Sequence, residues 1–312
     1  IGCGKIKKRN CEGFRTMGKK AVVAIGVFDG VHLGHRRILK AAVRIARGKN
    51  TKAIAVTFYP HPLSIVGRGS APPSLISLKH RLNLIKQAGV DRCLVFNFTK
   101  SFAEKSAQHF IKNILIRRLA AGWVVVGEDF RFGKNRQGNC ALLYELGERL
   151  GFTLKRVKTL KIKGMAVSSS AIRRLVQKGD LKTASRLLGR PVTVFGTVVK
   201  GNNIGRKLGF PTANINPHHE VVPPSGVYVV KVIIDKRRYN GVLNIGIRPT
   251  FYGLGHYDKE PSIEAYIFNF SKNIYGKDIE VSFTKKLRAE KKFKNEGALK
   301  IQINKDIIKA RR

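Results

Sequence analysis

The sequence predicts an α/β chain in two parts: an N-terminal parallel sheet flanked by helices, then an antiparallel β-barrel with a terminal helix. Three observations carry this. A chain of 312 residues has room for about two domains. Up to about residue 188, short β-branched runs alternate with helical periodicity, the grammar of βαβ units. Beyond Gly189 the strands follow closely on one another with Gly, Pro and Asn between them, as in a barrel. The predicted domains are 1–186 and 187–312.

The elements follow in order. Ala21–Val27 is an apolar, strand-like run, and Gly34–Ala46 carries Ile38, Ala42, Val43 and Ala46 at helical spacing. Ala53–Phe58 reads as a second strand. Ser77 is placed to cap a helix bearing Leu78, Leu82 and Ile85 that ends at Gly89. Cys93–Phe96 and Trp123–Val126 read as strands separated by a helix over Phe102–Leu119, and short helices near Ala171–Gln177 and Leu181–Leu188 close the first half. In the second half Val192–Val199, Gly226–Ile234, Tyr239–Ile245, Ile263–Phe270 and Ile279–Phe283 are strands. A final helix carries Leu299, Ile303, Ile307 and Ala310 on one stripe and basic residues in its last turn.

Charge is the outlying property: 61 Lys and Arg against 19 Asp and Glu leave +42. Clustered basic charge is the electrostatic footprint of nucleic-acid binding. Here the excess is spread, +29 in 1–186 and +13 in 187–312, and no recognition motif or basic-aromatic repeat accompanies it. A basic surface that attracts anionic nucleotides is the favoured reading, with no specific nucleic acid as partner. No apolar run reaches the roughly 18 residues of a membrane span, so no membrane partner is expected. Cys3, Cys11, Cys93 and Cys140 form no C-x-x-C pair and have no His at zinc spacing, which reads as reduced thiols in a cytoplasmic protein. The first 20 residues are basic and acid-poor, like a transit peptide, but lack an apolar core and an initial Met.

The first chemical motif is Gly26-Val-Phe-Asp-Gly-Val-His-Leu-Gly-His35, where the first strand hands over to a helix. In an open α/β sheet this carboxyl-end crevice is where ligands bind. Gly26, Gly30 and Gly34 let a phosphate approach the backbone, and the helix start offers unpaired N–H groups. His32 and His35, three apart, can reach one point before that helix. Two such donors suit nucleotidyl transfer, in which a phosphate oxygen attacks the α-phosphorus of ATP and pyrophosphate leaves. Positioning and charge stabilisation carry that chemistry.

Gly-x-Phe-Asp-Gly-x-His-x-Gly-His resembles the signature of the adenylyltransferase module of bacterial FAD synthetases, within the H-x-G-H nucleotidyltransferases. Thr57-Phe-Tyr-Pro-His-Pro62, Val126-Gly-Glu-Asp-Phe-Arg-Phe-Gly133 and Val167-Ser-Ser-Ser-Ala-Ile-Arg173 match further family segments in order. The resemblance implies a Rossmann-like nucleotidyltransferase domain. In it Gly26, Phe28 and Gly34 meet the nucleotide, Asp129 and Phe132 lie at the flavin, and Ser168, Ser169, Ser170 and Arg173 grip the ATP phosphates. Serines at a helix start beside an arginine suit an anion on their own account. Ser170 stands where the family usually has Thr, which keeps the hydroxyl.

In the second half Gly201-Asn-Asn-Ile-Gly-Arg-Lys-Leu-Gly-Phe-Pro-Thr-Ala-Asn214 combines three glycines, two basic residues and hard oxygen donors. It is no Walker-type loop, and from the residues alone it reads as a flexible hairpin loop. Yet it resembles the signature of the riboflavin kinase barrel. Pro224-Ser-Gly-Val-Tyr228, Asn244-Ile-Gly-Ile-Arg-Pro-Thr-Phe251, Tyr275-Gly-Lys277 and Leu287-Arg-Ala-Glu-Lys-Lys-Phe293 match in order. The resemblance implies that Gly201, Arg206, Gly209 and Pro211 bind ATP, that Thr212 and Asn214 hold Mg2+, and that Arg288 lies against the flavin. It also implies that Glu264 is the base for the riboflavin 5′-hydroxyl, as an alcohol attacking a γ-phosphate requires. Tyr266 and Asn269 replace the His and Asp that often follow.

The expected function is flavin cofactor synthesis from riboflavin, FMN and ATP: phosphorylation to FMN in the C-terminal domain and adenylylation to FAD in the N-terminal one. Two alternatives stay open, a chain with only one active module and a basic nucleic-acid-binding protein on this scaffold.

Overall fold

The computed structural model describes residues 20–67, 72–201, 204–218, 220–249 and 259–311. Cys3, Cys11, the basic N-terminal stretch, Asn202, Asn203, Thr250 and Phe251 lie outside the described residues. The chain divides into two compact units. The first takes in the chain up to Pro72 together with Arg81–Ala166, and the second Pro73–His80 together with Val167 and the residues after it.

The first unit is a five-stranded parallel sheet in the order β3-β2-β1-β4-β5, built from β1 (Ala21–Ile25), β2 (Ala53–Tyr59), β3 (Arg92–Asn97), β4 (Ala121–Gly127) and β5 (Thr153–Val157). All five residues of β1 are buried, as expected of a central strand covered on both faces. Between β1 and β2 runs α1 (Leu33–Gly48), whose Ile38, Leu39, Ala42, Val43 and Ala46 are buried at helical spacing. After β2 come α2 (Pro62–Val66) and α3 (Leu78–Gln87). Ser77 caps α3 as predicted, its hydroxyl accepting from the His80 N–H at 3.3 Å.

The helix expected over Phe102–Leu119 is broken. It divides into α4 (Lys100–Ala103), α5 (Ala107–His109) and a π-helix, Phe110–Arg118. Two hydroxyl caps explain the break: Thr99 receives the Phe102 N–H at 3.1 Å, and Ser106 receives the His109 N–H at 3.1 Å and starts a new helix. Sequence reading also passed over α6 (Cys140–Leu150), β5 and the small hairpin β6 (Lys161–Ile162) with β7 (Met165–Ala166). Cys93 and Cys140 are free thiols, and burial pushes that of Cys93 up to about 12.

In the second unit α7 (Ser169–Lys178) and α8 (Leu181–Leu188) precede a closed barrel in the order β10-β11-β12-β9-β8-β13. Its strands are β8 (Thr193–Val199), β9 (Thr212–Asn216), β10 (Gly226–Ile234), β11 (Arg237–Pro249), β12 (Lys259–Ile267) and β13 (Asp278–Arg288), with the single turn α9 (Ile204–Lys207) before β9. Alternate residues fill the interior: Tyr228, Val230, Val232 and Ile234 from β10, Leu243 and Ile245 from β11, and Ile263, Ala265 and Ile267 from β12. The strand β9 corrects the expectation of a loop through Asn214, because Thr212–Asn214 pair with Tyr266–Glu264. The terminal helix α10 (Glu296–Arg311) turns the predicted stripe inward, with Ile307 buried and Leu299, Ile303 and Ala310 half-buried.

Candidate active sites

In the first unit the sheet order reverses direction at β1, whose neighbours are β2 and β4, so the crevice beyond the carboxyl ends of β1 and β4 is the switch point of the fold. Both flanking loops carry predicted residues. The β1–α1 loop is tightly folded: Phe28 (φ 53°) and Val31 (φ 38°) adopt left-handed backbone although neither is glycine, and both are fully buried. For a β-branched residue this is strained and persists only where surrounding contacts over-determine it. The Phe28 ring folds back over Gly26, where a Cβ would stand 2.8 Å from Phe28 Cε1, so position 26 accepts only glycine.

His32 caps α1, its Nδ1 accepting from the His35 N–H at 3.3 Å. The two imidazoles stack with centroids 3.6 Å apart, and the Phe28 ring meets His35 edge-on at 5.4 Å. Burial first, then the neighbouring His32 and Arg81, hold His35 well below the usual histidine range, so its ring is neutral. His35 Nδ1 is buried with no hydrogen-bond partner among the described residues. Gly34 stands in the first turn of α1 beside them.

Across the switch point, Asp129 follows β4 and turns its carboxylate back over Gly127, where a Cβ would lie 3.0 Å from Asp129 Oδ1. Phe132 is buried, stacked on Phe130 at 5.4 Å and near Phe110 at 5.5 Å, so the half-buried Phe130 presents more of its ring than Phe132 does. The predicted residues Gly26, Phe28, His32, Gly34, His35 and Asp129 thus gather at one end of one sheet. Ser168, Ser169, Ser170 and Arg173 begin α7 in the second unit. There Ser168 Oγ accepts from the Ala171 N–H at 3.2 Å, and Arg173 Nε donates to the Pro73 carbonyl at 2.7 Å.

Sequence reasoning missed Arg81, which is 1% exposed. Its Nη1 donates to the carbonyls of Val27 (3.0 Å) and Phe58 (3.1 Å) and lies 3.4 Å from Thr57 Oγ1, which itself donates to the Val27 carbonyl at 2.8 Å. One signal existed. Arg81 falls on the stripe Leu78, Leu82, Ile85, and a cation on an apolar stripe must have a buried partner.

The second constellation lies on the outer face of the barrel, where the residues alternating with the core emerge. Glu264 on β12 stands opposite Asn244 of β11 on one side and Asn214 of β9 on the other, and Tyr266 stands opposite Thr212. Glu264 Oε1 accepts from Ser262 Oγ at 3.2 Å. Two glycines of the preceding segment are packed onto these side chains. A Cβ on Gly201 would stand 2.1 Å from Asn214 Nδ2, and one on Gly205 would stand 3.0 Å from Thr212 Oγ1. Gly201, Thr212, Asn214 and Glu264 are therefore together, as expected, while Gly205 and Ser262 are additions.

Arg206 is exposed on α9; Gly209 takes φ 88° and is followed by the exposed Pro211. Arg288 is held away from solvent by a bidentate pair with Asp306 of α10, Nε donating to Oδ1 at 3.1 Å and Nη2 to Oδ2 at 2.8 Å. Among the described residues no group of three or more His, Cys, Asp or Glu could hold a metal. The oxygen donors of Thr212 and Asn214, on one face of β9, do suit a hard divalent cation that takes its other ligands from phosphates.

Comparison with known proteins agrees with the two-part architecture. The family model described as FAD synthetase matches residues 15–171, and that described as riboflavin kinase matches 188–312. A bifunctional riboflavin kinase/FMN adenylyltransferase of Haemophilus influenzae is 39% identical over 93% of this chain and 92% of its own. Those of Escherichia coli K12 (37%, 93% and 91%) and Bacillus subtilis (39%, 92% and 90%) are similar to the same extent. A crystal structure described as a macrolide-efflux protein from Streptococcus pneumoniae matches with a TM-score of 0.83 at 29% identity, covering 97% of each chain. The efflux in that description is that protein's own; no helix among the described residues here is long and apolar enough to cross a membrane. With the H-x-G-H loop at a switch point, a carboxylate on a flavokinase-type barrel and full-length relatives on both counts, the chain belongs to the bifunctional riboflavin kinase/FMN adenylyltransferase family, ATP-dependent transferases of flavin cofactor synthesis.

Proposed function

We propose that the two reactions of the family run on the two constellations just described, with residues 1–186 serving adenylyl transfer and 187–312 riboflavin phosphorylation. The observation that carries the first assignment is the stacked His32–His35 pair at the head of α1, beyond the carboxyl end of β1. An FMN phosphate oxygen attacks the α-phosphorus of ATP, the bond to the bridging oxygen breaks, and pyrophosphate leaves. His32 and His35 donate to the charge that grows on the phosphoryl oxygens, and the N–H groups of α1 at Gly34 add a fixed positive end. Gly26 and Phe28 shape the nucleotide's seat, and the loop bearing Asp129 and Phe132 lines the flavin side. Ser168, Ser169, Ser170 and Arg173 offer further donors to a triphosphate.

On the barrel, Glu264 accepts the proton of the riboflavin 5′-hydroxyl as its oxygen attacks the γ-phosphorus and ADP leaves. Gly201, Arg206, Gly209 and Pro211 form the phosphate-facing segment, and Arg288, braced by Asp306, borders the flavin. Thr212 and Asn214 would hold Mg2+, which when bound neutralises phosphate charge.

Purified full-length protein, supplied with riboflavin or FMN plus Mg-ATP and analysed by flavin chromatography, tests both assignments. His32→Ala is expected to accumulate FMN without FAD. Glu264→Ala is expected to make no FMN yet still convert supplied FMN to FAD. Unimpaired FAD formation by His32→Ala would overturn the first assignment, and unimpaired FMN formation by Glu264→Ala the second.

A further inference from the structure

The first unit buries a cation whose role neither the family match nor the H-x-G-H motif supplies. We infer that Arg81 is the positioning residue of the adenylyl-transfer site, a buried guanidinium that clamps the β1–α1 loop to the end of β2. The inference rests on the reading of that loop as the adenylyl-transfer site.

Three observations lead there. First, Arg81 ties the β1–α1 loop to the carboxyl end of β2. One nitrogen serves Val27, the last residue before the left-handed Phe28, and also Phe58 near the end of β2. Thr57 completes a triangle by donating to the same Val27 carbonyl. This is a local over-determination of the kind that the strained Phe28 and Val31 require. A lysine ammonium is a point charge with freely rotating donors, whereas the planar guanidinium fixes its acceptors at set angles.

Second, the cation is not neutralised by hydrogen bonds alone. Arg81 Nε is buried without a partner among the described residues, and so is His35 Nδ1. Desolvation lowers the guanidinium pKa, and the carboxylate of Asp29, itself buried, chiefly counters this. A buried guanidinium with an unmatched Nε donor is prepared for an anion rather than for folding stability, since each unmatched polar group costs about 1–3 kcal/mol.

Third, the ionisable groups that face His35 are His32 from the start of α1 and Arg81 from α3, with Asp29 of the loop acting on Arg81. Both direct neighbours oppose protonation of His35. The imidazole beside the reacting phosphates therefore stays neutral, a hydrogen-bond donor and not a cation that would trap the anionic product.

The test compares Arg81→Gln and Arg81→Lys in the full-length protein, following FMN to FAD from about pH 4.5 to pH 8, a window that takes in the acidic limb of a histidine held below its usual range. Riboflavin phosphorylation by the same preparations reports integrity. Arg81→Gln is expected to lower kcat about 100-fold, the cost typical of a 1 Å misplacement, with a much smaller change in KM for ATP. It is also expected to move the acidic limb of the pH profile upward, because one of the influences that suppress His35 protonation has been removed. Arg81→Lys keeps the charge and is expected to retain the wild-type limb while losing at least 10-fold in kcat. An unmoved limb in Arg81→Gln, or a wild-type kcat in Arg81→Lys, overturns the inference. Should Arg81→Gln fail to fold, Arg81→Lys alone decides by its kcat. Absence of FAD formation by the wild-type protein would instead overturn the underlying reading of the site.

Discussion

Replacing Gly201 by alanine is a one-methyl perturbation that should silence the kinase reaction and spare the other. The added Cβ would stand 2.1 Å from Asn214 Nδ2, 2.4 Å from its Cγ and 2.7 Å from its Oδ1. Ordinary contact begins near 3.4 Å, so the amide must retreat by about 1 Å or more. Asn214 is short and springs from a strand paired on both sides, to Glu264 of β12 and to Val199 of β8, so its backbone cannot follow. Its oxygen is a proposed metal donor, and a displacement of that size costs about 100-fold, or about 2.7 kcal/mol in the barrier. The assay is FMN formation from riboflavin and Mg-ATP, with FAD formation from supplied FMN as the control in the same preparation. A double-mutant cycle makes the mechanism explicit: if Gly201→Ala acts by displacing Asn214, adding it to Asn214→Ala should cost nothing further. Wild-type FMN formation by Gly201→Ala, or full additivity in the cycle, would refute the reasoning.

Two further predictions concern stability. His80 is buried between Glu220 (3.5 Å) and Glu280 (3.7 Å). Burial alone disfavours the imidazolium, but the contacts to Glu220 and then Glu280 outweigh it and raise the pKa. Because the folded pKa lies above the unfolded value, the stabilisation is complete below about pH 6.5 and is lost as pH rises through the raised pKa. The Tm difference between wild type and His80→Gln should accordingly shrink from pH 6 to pH 9, and a constant difference would contradict the pairing. Asp306→Ala leaves the Arg288 guanidinium without its buried partner. It should cost about 3 kcal/mol in denaturant unfolding and raise KM for riboflavin; an unchanged KM would detach Arg288 from the flavin.

The parts of this fold legible in the sequence are those whose signal is local. Ala21–Ile25 is apolar throughout because a central parallel strand is covered on both faces, and that run needs no partner to be recognised. The spacing of His32 and His35 places both at a helix start, where the structure stacks them and makes His32 the cap. The close spacing of Gly226–Ile234 and Tyr239–Ile245 likewise announces antiparallel strands of a barrel. Glu264 was legible only through resemblance, since a lone strand carboxylate carries no mark of its role.

Local patterning thus reveals the two-part architecture, the central strands and longer helices of the first half, and the positions of both chemical motifs, including the H-x-G-H loop at the head of a helix. Tertiary structure alone decided the rest. Arg81 meets Val27 and Phe58 from 54 and 23 residues away, so its role depends on which strands become neighbours. Thr212–Asn216 becomes a strand because β12 and β8 offer edges on either side, an outcome that its own short, polar composition does not favour. The left-handed turns at Phe28 and Val31 run against local preference, and only the contacts closing around them hold that conformation.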